Sequence, residues 1–227
     1  MDKPSSTPLR IGHRGVSGVW FENSLQAFRA ARPAGLDGVE LDVHATRDGA
    51  IVVHHDPEIS GLGPIGRADL RAIRAVRLPN GEAIPTLAEA LEALAGLRVY
   101  VEVKALEARH DRALLGLLAQ DPAPDRLAVH SFDHRIVARL VRVAPRLHGG
   151  ILSVSYPVDP AAELLAAGAV AYWMEASMVD RELVETIHGA GGQVIAWTVN
   201  DRAQARALAG LGVDGLCGNY PDRLVVG

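Results

Sequence analysis

The sequence contains one cysteine, Cys217, among 227 residues. A single thiol cannot form an internal disulfide, so the chain must rely on an apolar core and suits a reducing compartment. Aromatic residues make up only 4% of the chain, whereas Ala, Val and Leu are abundant. This composition is typical of helices packed against strands, and the length fits one domain with a sizeable core.

Long apolar runs and clustered charges are also missing. No apolar stretch reaches the length of a membrane span, and residues 1–8 lack the apolar core of a signal peptide. The net charge of −4 is spread along the chain, without the basic face that nucleic-acid binding needs. We therefore expect a cytoplasmic protein with no stable membrane insertion and no nucleic-acid partner. Residues 1–8 are predicted to be a flexible tail, and residues 9–227 the single domain.

The stretch Gly38-Val39-Glu40-Leu41-Asp42-Val43 carries an unusual pattern of acidic and apolar residues. Read as a strand, it places Glu40 and Asp42 on one face and the apolar side chains on the other. Neighbouring carboxylates repel each other and are costly to bury unless a positive charge lies between them. A hard divalent cation such as Mg²⁺ or Ca²⁺ meets this need, because such ions prefer oxygen ligands.

A second strand-like stretch, Arg98 to Lys104, repeats the pattern with Glu102 and Lys104 on one face. Glu102 is therefore a candidate third ligand of the cation. The alternative is that each acid forms a structural ion pair, for example Glu102 with Lys104. Two acidic strands together favour the cation. The sequence has no CxxC or HExxH pattern, which argues against a zinc site.

A hairpin is predicted directly after the first acidic strand. Only seven residues, 44–50, separate that strand from the strand-like stretch Ile51 to Asp56, which is too few for a parallel crossover. Folding the hairpin about Asp48 places His55 opposite about Leu41, and therefore beside the two acids. Residues 57–85 are rich in glycine and proline and are interpreted as a loop excursion over the site, with a short helix at 68–75.

The two histidines predicted to lie beside the acids are His13, which ends the first strand, and His55. Imidazole can donate or accept a proton near neutral pH, so these two are candidate catalytic groups. A hydrogen-bonded structural role is the alternative for each. Arg14 and Lys104 add positive charge, which favours an anionic substrate such as a phosphate ester. Trp197 could form an apolar wall for the substrate or could plug the top of a barrel.

Strand-like and helical stretches alternate through the whole domain. The predicted strands, without the hairpin strand, are 9–12, 38–43, 98–104, 127–131, 149–153, 170–174, 193–198 and 213–217. Eight such units in one domain predict an α/β protein, a closed (β/α)8 TIM barrel with a small hairpin and loop excursion after strand 2. Active sites of this fold lie at the C-terminal strand ends, where the sequence places His13, Glu40, Asp42, Glu102, Lys104 and Trp197.

The chain resembles the glycerophosphodiester phosphodiesterases, which are related in mechanism to phosphatidylinositol-specific phospholipase C. The resemblance rests on short stretches that run in family order through nearly the whole chain. They include His13-Arg14-Gly15, Glu22-Asn23-Ser24, Glu40-Leu41-Asp42-Val43, Thr46-Arg47-Asp48-Gly49, Val53-His54-His55-Asp56, Val101-Glu102-Val103-Lys104 and Trp197-Thr198-Val199-Asn200. Each stretch is a weak signal alone, and together they are a strong one.

The resemblance implies roles for the candidate residues. It implies that His13 and His55 are the acid–base pair, and that Glu40, Asp42 and Glu102 hold a divalent cation, Mg²⁺ or Ca²⁺. It also implies the barrel fold that the strand count predicts.

By the same resemblance, Arg14 and Lys104 contact the phosphate of a small-molecule glycerophosphodiester. The implied products are glycerol 3-phosphate and an alcohol.

Two other functions stay open. A lysophospholipase D would use the same chemistry on a lipid that keeps one acyl chain. It would need an apolar groove, which Trp20, Phe21, Tyr172 and Trp173 could line, although the same residues also suit ordinary packing. The chain could also be a non-catalytic barrel that binds phosphorylated ligands, although such a binder needs no acid–base pair.

Overall fold

The structure is a computed structural model that describes residues 7–226. The flexible tail predicted at residues 1–8 therefore lies outside the described residues, apart from its last two positions. Eleven strands are present in the described part: β1 (Leu9–His13), β2 (Gly38–Ala45), β3 (Ile51–Val53), β4 (Glu58–Ile59), β5 (Gly63–Pro64), β6 (Arg98–Ala105), β7 (Leu127–Ser131), β8 (His148–Ser153), β9 (Ala171–Glu175), β10 (Gln193–Trp197) and β11 (Gly215–Gly218).

Eight of these strands form a closed parallel barrel. The order of hydrogen-bonded neighbours is β1-β11-β10-β9-β8-β7-β6-β2, and β1 pairs in turn with β2 to close the ring. The prediction of a (β/α)8 barrel is confirmed, with strand ends displaced by one or two residues from those expected. Ends are the least determined part of a strand in a sequence pattern, because pairing with neighbours decides where the ladder stops.

Eight helices lie between the strands: α1 (Leu25–Arg29), α2 (Leu70–Ala75), α3 (Leu87–Ala93), α4 (Asp111–Ala119), α5 (His134–Val143), α6 (Pro160–Ala166), α7 (Arg181–Gly189) and α8 (Arg202–Leu211). All except α4 begin after a Ser, Thr or Asp whose side chain accepts a backbone N–H of the first turn. Helix α8 ends at Gly212 in the left-handed conformation, which only glycine adopts without strain. No helix within residues 7–226 is both long and apolar enough to cross a membrane.

The predicted hairpin is confirmed in type and in register. Strand β3 pairs antiparallel with β2, with Val53 opposite Val43, and the backbone N–H of His54 donates to the carbonyl of Asp42 at 3.0 Å. The excursion that follows has its own apolar cluster, which includes Val52, Ile65 and Ile73. It is therefore a small packed unit built on β3 and not a structureless loop.

The barrel interior is filled by apolar side chains. Tyr100 packs edge-on against the indole of Trp173, with ring centroids 5.2 Å apart, and Trp173 is buried. Tyr172 is buried on the outer face of the barrel, where its hydroxyl donates to Glu163 at 3.0 Å. Of the two roles considered for Tyr172 and Trp173, a groove at the mouth or ordinary packing, the structure shows packing, because the alternation of β9 sends both rings into packed cores.

Candidate active site

Three neighbouring strands bring the predicted site residues to one end of the barrel. His13 at the end of β1 is in register with Glu40 of β2, and Asp42 is in register with Glu102 of β6. Residues in register on parallel strands share a face of the sheet, so these side chains point to the same side. The three acids are buried although each is ionisable. The structure therefore concentrates charge at the C-terminal ends of the strands.

Arg14 connects two of the strands through its backbone and its side chain. Its backbone is left-handed, with φ of 56°, and its N–H donates to Glu40 Oε2 at 3.0 Å. Its guanidinium donates from Nη1 to Glu22 Oε2 at 2.9 Å, and its Nε lies 3.1 Å from Asp42 Oδ2. A left-handed arginine is uncommon and such conformations cluster at functional sites.

Asp42 is the centre of an ion-pair network. Lys104 Nζ lies 3.0 Å from Asp42 Oδ1, and the Asn23 side-chain amide donates to Asp42 Oδ2 at 2.7 Å. Burial by itself would raise the pKa of Asp42, but Lys104 and Arg14 hold that pKa below its ordinary value. Lys104 Nζ is also 2.7 Å from Glu102 Oε1, so the Glu102–Lys104 pair expected as an alternative does form. One lysine thus serves two carboxylates.

Glu40 and Glu102 have too little positive charge nearby to keep their pKa values at the ordinary level. Burial and the neighbouring charge of Asp42 raise the pKa of Glu102 to about 7. Burial, Asp42 and Glu102 raise the pKa of Glu40 well above its ordinary value. A cation placed among these groups would favour their ionised forms.

The described residues contain seven buried side-chain N or O atoms without a hydrogen-bond partner, and all lie in the upper part of the barrel, at or near the C-terminal strand ends. They are Arg14 Nε, Glu40 Oε1, Asp42 Oδ1, Glu102 Oε1, His130 Nδ1 and Nε2, and Trp197 Nε1. Each of the three predicted metal ligands contributes one such oxygen. Buried polar atoms are nearly always partnered, so this concentration indicates a bound polar group. Carboxylate oxygens are the donors that a divalent cation needs, and the residues present therefore fit one.

His13 is a partly buried imidazole with a defined partner. Burial, together with the charge of Arg14, lowers the pKa of His13 to about 4. Its Nδ1 lies 2.8 Å from Asn219 Oδ1, and the Ser17 hydroxyl, which donates to the carbonyl of His13 at 2.7 Å, lies 3.2 Å from the same amide oxygen. An amide oxygen can only accept, so Nδ1 of His13 carries the proton and Nε2 keeps its lone pair.

His55 lies just beyond the paired part of the hairpin and is about one-third exposed. Its Nδ1 is 2.8 Å from Asp56 Oδ1, and its backbone carbonyl accepts a hydrogen bond from His44 Nε2 at 3.1 Å. The neighbouring His54 bonds through Nδ1 to the carbonyl of Asp56. Both hydrogen bonds of His55 are thus made within the β2–β3 hairpin. The register of that hairpin places the backbone of the neighbouring His54 against Asp42.

Three residues of the site had no role in the sequence interpretation: Asn23, Asn219 and His130. Asn23 had been named only within the Glu22-Asn23-Ser24 stretch, and Asn219 was not linked to His13, because the two residues are 206 positions apart in the sequence. His130 is in register with Glu102 on the adjacent strand and stacks on Trp173, with ring centroids 4.3 Å apart and planes 7° apart. If the register of β7 against β6 had been known, the alternation of side chains along β7 would have predicted that His130 lies beside Glu102.

Trp197 lies at the end of β10 and is partly buried. It packs on the apolar interior of the barrel and makes an edge-on contact with Phe132, with ring centroids 5.5 Å apart. Trp197 therefore closes part of the barrel top, which is one of the two roles expected for it. The other role, as an apolar wall for the substrate, stays a prediction.

A cavity of about 460 Å³ adjoins the site beside β2 and β6. His44 and Lys104 line it from the barrel, and Pro57 and Pro64 line it from the excursion. The excursion therefore flanks the charged end of the barrel, as predicted.

The fold and the site together define a (β/α)8 barrel of the kind found in enzymes. Its mouth is acidic, and the carboxylates there contact the side chains of Arg14 and Lys104. Residues 13–223 match the model of the glycerophosphoryl diester phosphodiesterase family. The chain belongs to that family and is a phosphoric diester hydrolase.

Individual relatives agree along the whole chain. A glycerophosphodiester phosphodiesterase of Caldanaerobacter subterraneus is 30% identical over 233 residues, which covers 96% of each chain. A protein of the same name from Bacillus altitudinis is 28% identical and covers 95% of this chain and 96% of its own. Among solved structures, a phosphodiesterase of Oleispira antarctica in complex with the product sn-glycerol-3-phosphate has a TM-score of 0.88. It is 27% identical and covers 96% of this chain and 95% of its own.

Proposed function

We propose that the protein hydrolyses glycerophosphodiesters to glycerol 3-phosphate and an alcohol, with a divalent cation and two catalytic histidines. The observation that carries this proposal is the buried cluster of Glu40, Asp42 and Glu102 beside His13, at the end of the barrel where such enzymes bind substrate. Among the described residues, Arg14 and Lys104 are the ion-pair partners of these three carboxylates. Family membership and the product bound to the Oleispira antarctica relative support the substrate class.

Glu40, Asp42 and Glu102 are the proposed ligands of the cation. A divalent ion bound there supplies Lewis acidity to a phosphoryl oxygen and to the attacking hydroxyl. The identity of the ion proposed from the carboxylate donors is Mg²⁺ or Ca²⁺, since hard ions prefer oxygen.

Arg14 and Lys104 are proposed to contact the phosphate. Both already balance Asp42, with Arg14 Nε at 3.1 Å and Lys104 Nζ at 3.0 Å from its oxygens. Held in this way, the Arg14 and Lys104 side chains are preorganised to stabilise charge that develops on the phosphoryl oxygens in the transition state.

His13 is proposed as the base and His55 as the acid. Burial keeps His13 neutral, and its bond to Asn219 leaves Nε2 free to accept a proton from the nucleophile, which is water or the glycerol 2-hydroxyl. The carboxylate of Asp56 lies 2.8 Å from His55 Nδ1 and orients the ring, which is proposed to protonate the leaving alkoxide.

The test is release of glycerol 3-phosphate from glycerophosphocholine. Exhaustive chelation is expected to abolish turnover, and addition of a divalent ion to restore it. His13→Ala and His55→Ala are each expected to lower kcat by about 10²–10⁴-fold without changing the melting temperature. His148→Ala, which alters an exposed histidine at the opposite end of the barrel, is the matched control. Full activity after chelation contradicts the metal requirement, and normal turnover in either alanine variant contradicts the role of that histidine.

A second candidate, a lysophospholipase D, is favoured by exposed apolar side chains on the loops at the mouth. Trp20 and Phe21 follow β1, Phe132 follows β7, and Tyr156 and Val158 follow β8; all five are exposed. Strand ends of one direction meet at one face, so these loops surround the charged mouth. Such a rim would hold an acyl chain beside the phosphate.

Comparison of glycerophosphocholine with lysophosphatidylcholine separates the two candidates. If an acyl chain contacts the rim, Trp20→Ser should lower kcat/KM for the lysolipid by about tenfold, the value of one buried aromatic side chain. The same variant should leave glycerophosphocholine turnover unchanged. Val143→Ser, at the end of α5, removes an exposed apolar side chain away from the mouth and is the control. Absence of lysolipid turnover in the wild-type protein rejects this candidate.

A further inference from the structure

His130 is the one histidine of the site with no hydrogen-bond partner among the described residues. It is 1% exposed, and neither ring nitrogen is bonded. A buried polar group left in this state is unfavourable, because it gives up its hydrogen bonds to water and gains none in return. His130 therefore calls for a partner that the protein chain itself does not supply.

The position of the His130 ring is fixed by an aromatic stack. The imidazole lies parallel to the indole of Trp173, and Tyr100 packs edge-on against that indole. Gly150 makes room for the stack, because a Cβ there would lie 3.0 Å from Trp173 and 3.2 Å from His130 Cβ. The chain thus holds this imidazole firmly in a place where it forms no bond within the protein.

A ring nitrogen of His130 and one carboxylate oxygen each of Glu40 and Glu102 all lie within 4.8 Å of one another. Ligands of one metal ion stand at most about 4 Å apart when each bond is near 2.1 Å, so a small closure brings the three atoms to bonding distance. Asp42 contacts both Arg14 and Lys104, whereas Glu102 shares Lys104 with Asp42 and Glu40 has no ion-pair partner among the described residues.

We propose that His130 donates a nitrogen ligand to the cation held by Glu40 and Glu102, so that the centre is a mixed imidazole–carboxylate site. This inference rests on the metal centre of the proposed function and refines it. Imidazole binds later first-row ions such as Co²⁺ and Zn²⁺ better than Mg²⁺ or Ca²⁺. The centre therefore prefers a transition-metal ion, unlike a site of carboxylates alone.

The experiment uses Co²⁺ as the probe, added to the full-length protein after chelation. Calorimetry measures the Kd for Co²⁺ and for Mg²⁺, and proton NMR detects the strongly shifted, solvent-exchangeable N–H signal of a Co²⁺-bound imidazole. The wild-type protein is expected to bind Co²⁺ and to give this signal. His130→Phe, which keeps a ring for the stack on Trp173, should lose the signal. It should also weaken Co²⁺ by about 10–100-fold, the usual effect of losing a metal-site partner.

The same variant should change Mg²⁺ affinity by less than threefold, whereas His148→Phe, at the other end of the barrel, should change neither affinity nor spectrum. His130→Gln serves as a second variant if the phenylalanine variant fails to fold. Co²⁺ binding without a shifted imidazole signal, or a signal that survives in both variants, overturns the assignment of His130 and leaves the metal centre intact. A wild-type protein that binds neither ion overturns the metal centre itself and this inference with it.

Discussion

The two ends of the barrel use buried arginines in opposite ways. At the N-terminal end, Arg126 donates from Nε to Asp121 Oδ1 at 3.0 Å. Its other nitrogens donate to the backbone carbonyls of Leu91, Leu94 and Leu97. The guanidinium thus joins the segments before β6 and β7, and neither it nor Asp121 has a buried atom without a partner.

At the C-terminal end, Arg14 and Asp42 form a comparable pair, but both keep a buried atom with no hydrogen bond. The N-terminal pair is complete by itself, whereas the C-terminal pair belongs to a network in which Arg14 and Lys104 lie among three buried carboxylates. Barrels of this kind separate stability and activity between their two ends, and the polar contacts here follow that division.

The largest effect is expected at the N-terminal end. Arg126→Ala leaves Asp121 without its cation and removes a donor from three backbone carbonyls, so the free energy of unfolding should fall by about 3–5 kcal/mol. The kcat of the folded fraction should stay within twofold of wild type. Urea unfolding and a turnover assay in the absence of urea measure the two quantities. Arg135→Ala, which breaks an exposed pair with Asp133, is the control and should leave the melting temperature unchanged. A large loss of kcat in Arg126→Ala would mean that the two ends are not separate.

The next effect is expected at the mouth. Arg14→Gln should lower kcat by about 10²–10³-fold, as loss of a donor to developing charge does. The backbone N–H of residue 14 can still bond to Glu40, and Asp42 keeps Lys104 and Asn23, so the melting temperature should change little. Arg14→Lys should recover part of the activity, because it restores the charge but not the two-pronged donor geometry. A kcat within fivefold of wild type for Arg14→Gln would show that the guanidinium does not face the reaction.

The smallest effect concerns Glu102 in the metal-free protein. Its pKa is about 7 in the folded state. The unfolded value is near 4.5, so the folded state binds more protons between these two values, and stability falls as pH rises from 4.5 to 7. Glu102→Gln cannot ionise and should be more stable than wild type at pH 8 by about 1–3 kcal/mol, with little difference at pH 4.5. The measurement is urea unfolding of both proteins in EDTA at each pH.

The difference between the two proteins is the informative quantity in that experiment. The lowered pKa of His13 gives the opposite trend, since its contribution is lost as pH falls from 6.5 towards about 4, but it cancels between wild type and variant. Added divalent ion should reverse the order, because only the wild type keeps the full set of carboxylates. A variant less stable than wild type at pH 8 in EDTA would show that Glu102 is satisfied by Lys104 alone.

Much of the fold was predictable from local patterns. The alternation of strands and helices predicted the closed barrel, and seven residues between two strands were enough to predict the hairpin and its register. The partners of His13 and Asp42 were not predictable in this way, because Asn219 and Asn23 reach them across the chain. Contacts between distant positions depend on how strands are registered, which no single strand reveals.

The sequence by itself determined that acids end two strands and that a histidine ends a third, because side chains alternate along a strand whatever its neighbours are. Only the tertiary structure decided which of these groups are balanced. It placed the side chains of Arg14 and Lys104 on Asp42, left Glu102 to share Lys104 and Glu40 with no ion pair among the described residues, and brought His130 beside them. Charge balance in a buried site is a property of distances across strands, and those distances are set when the barrel closes.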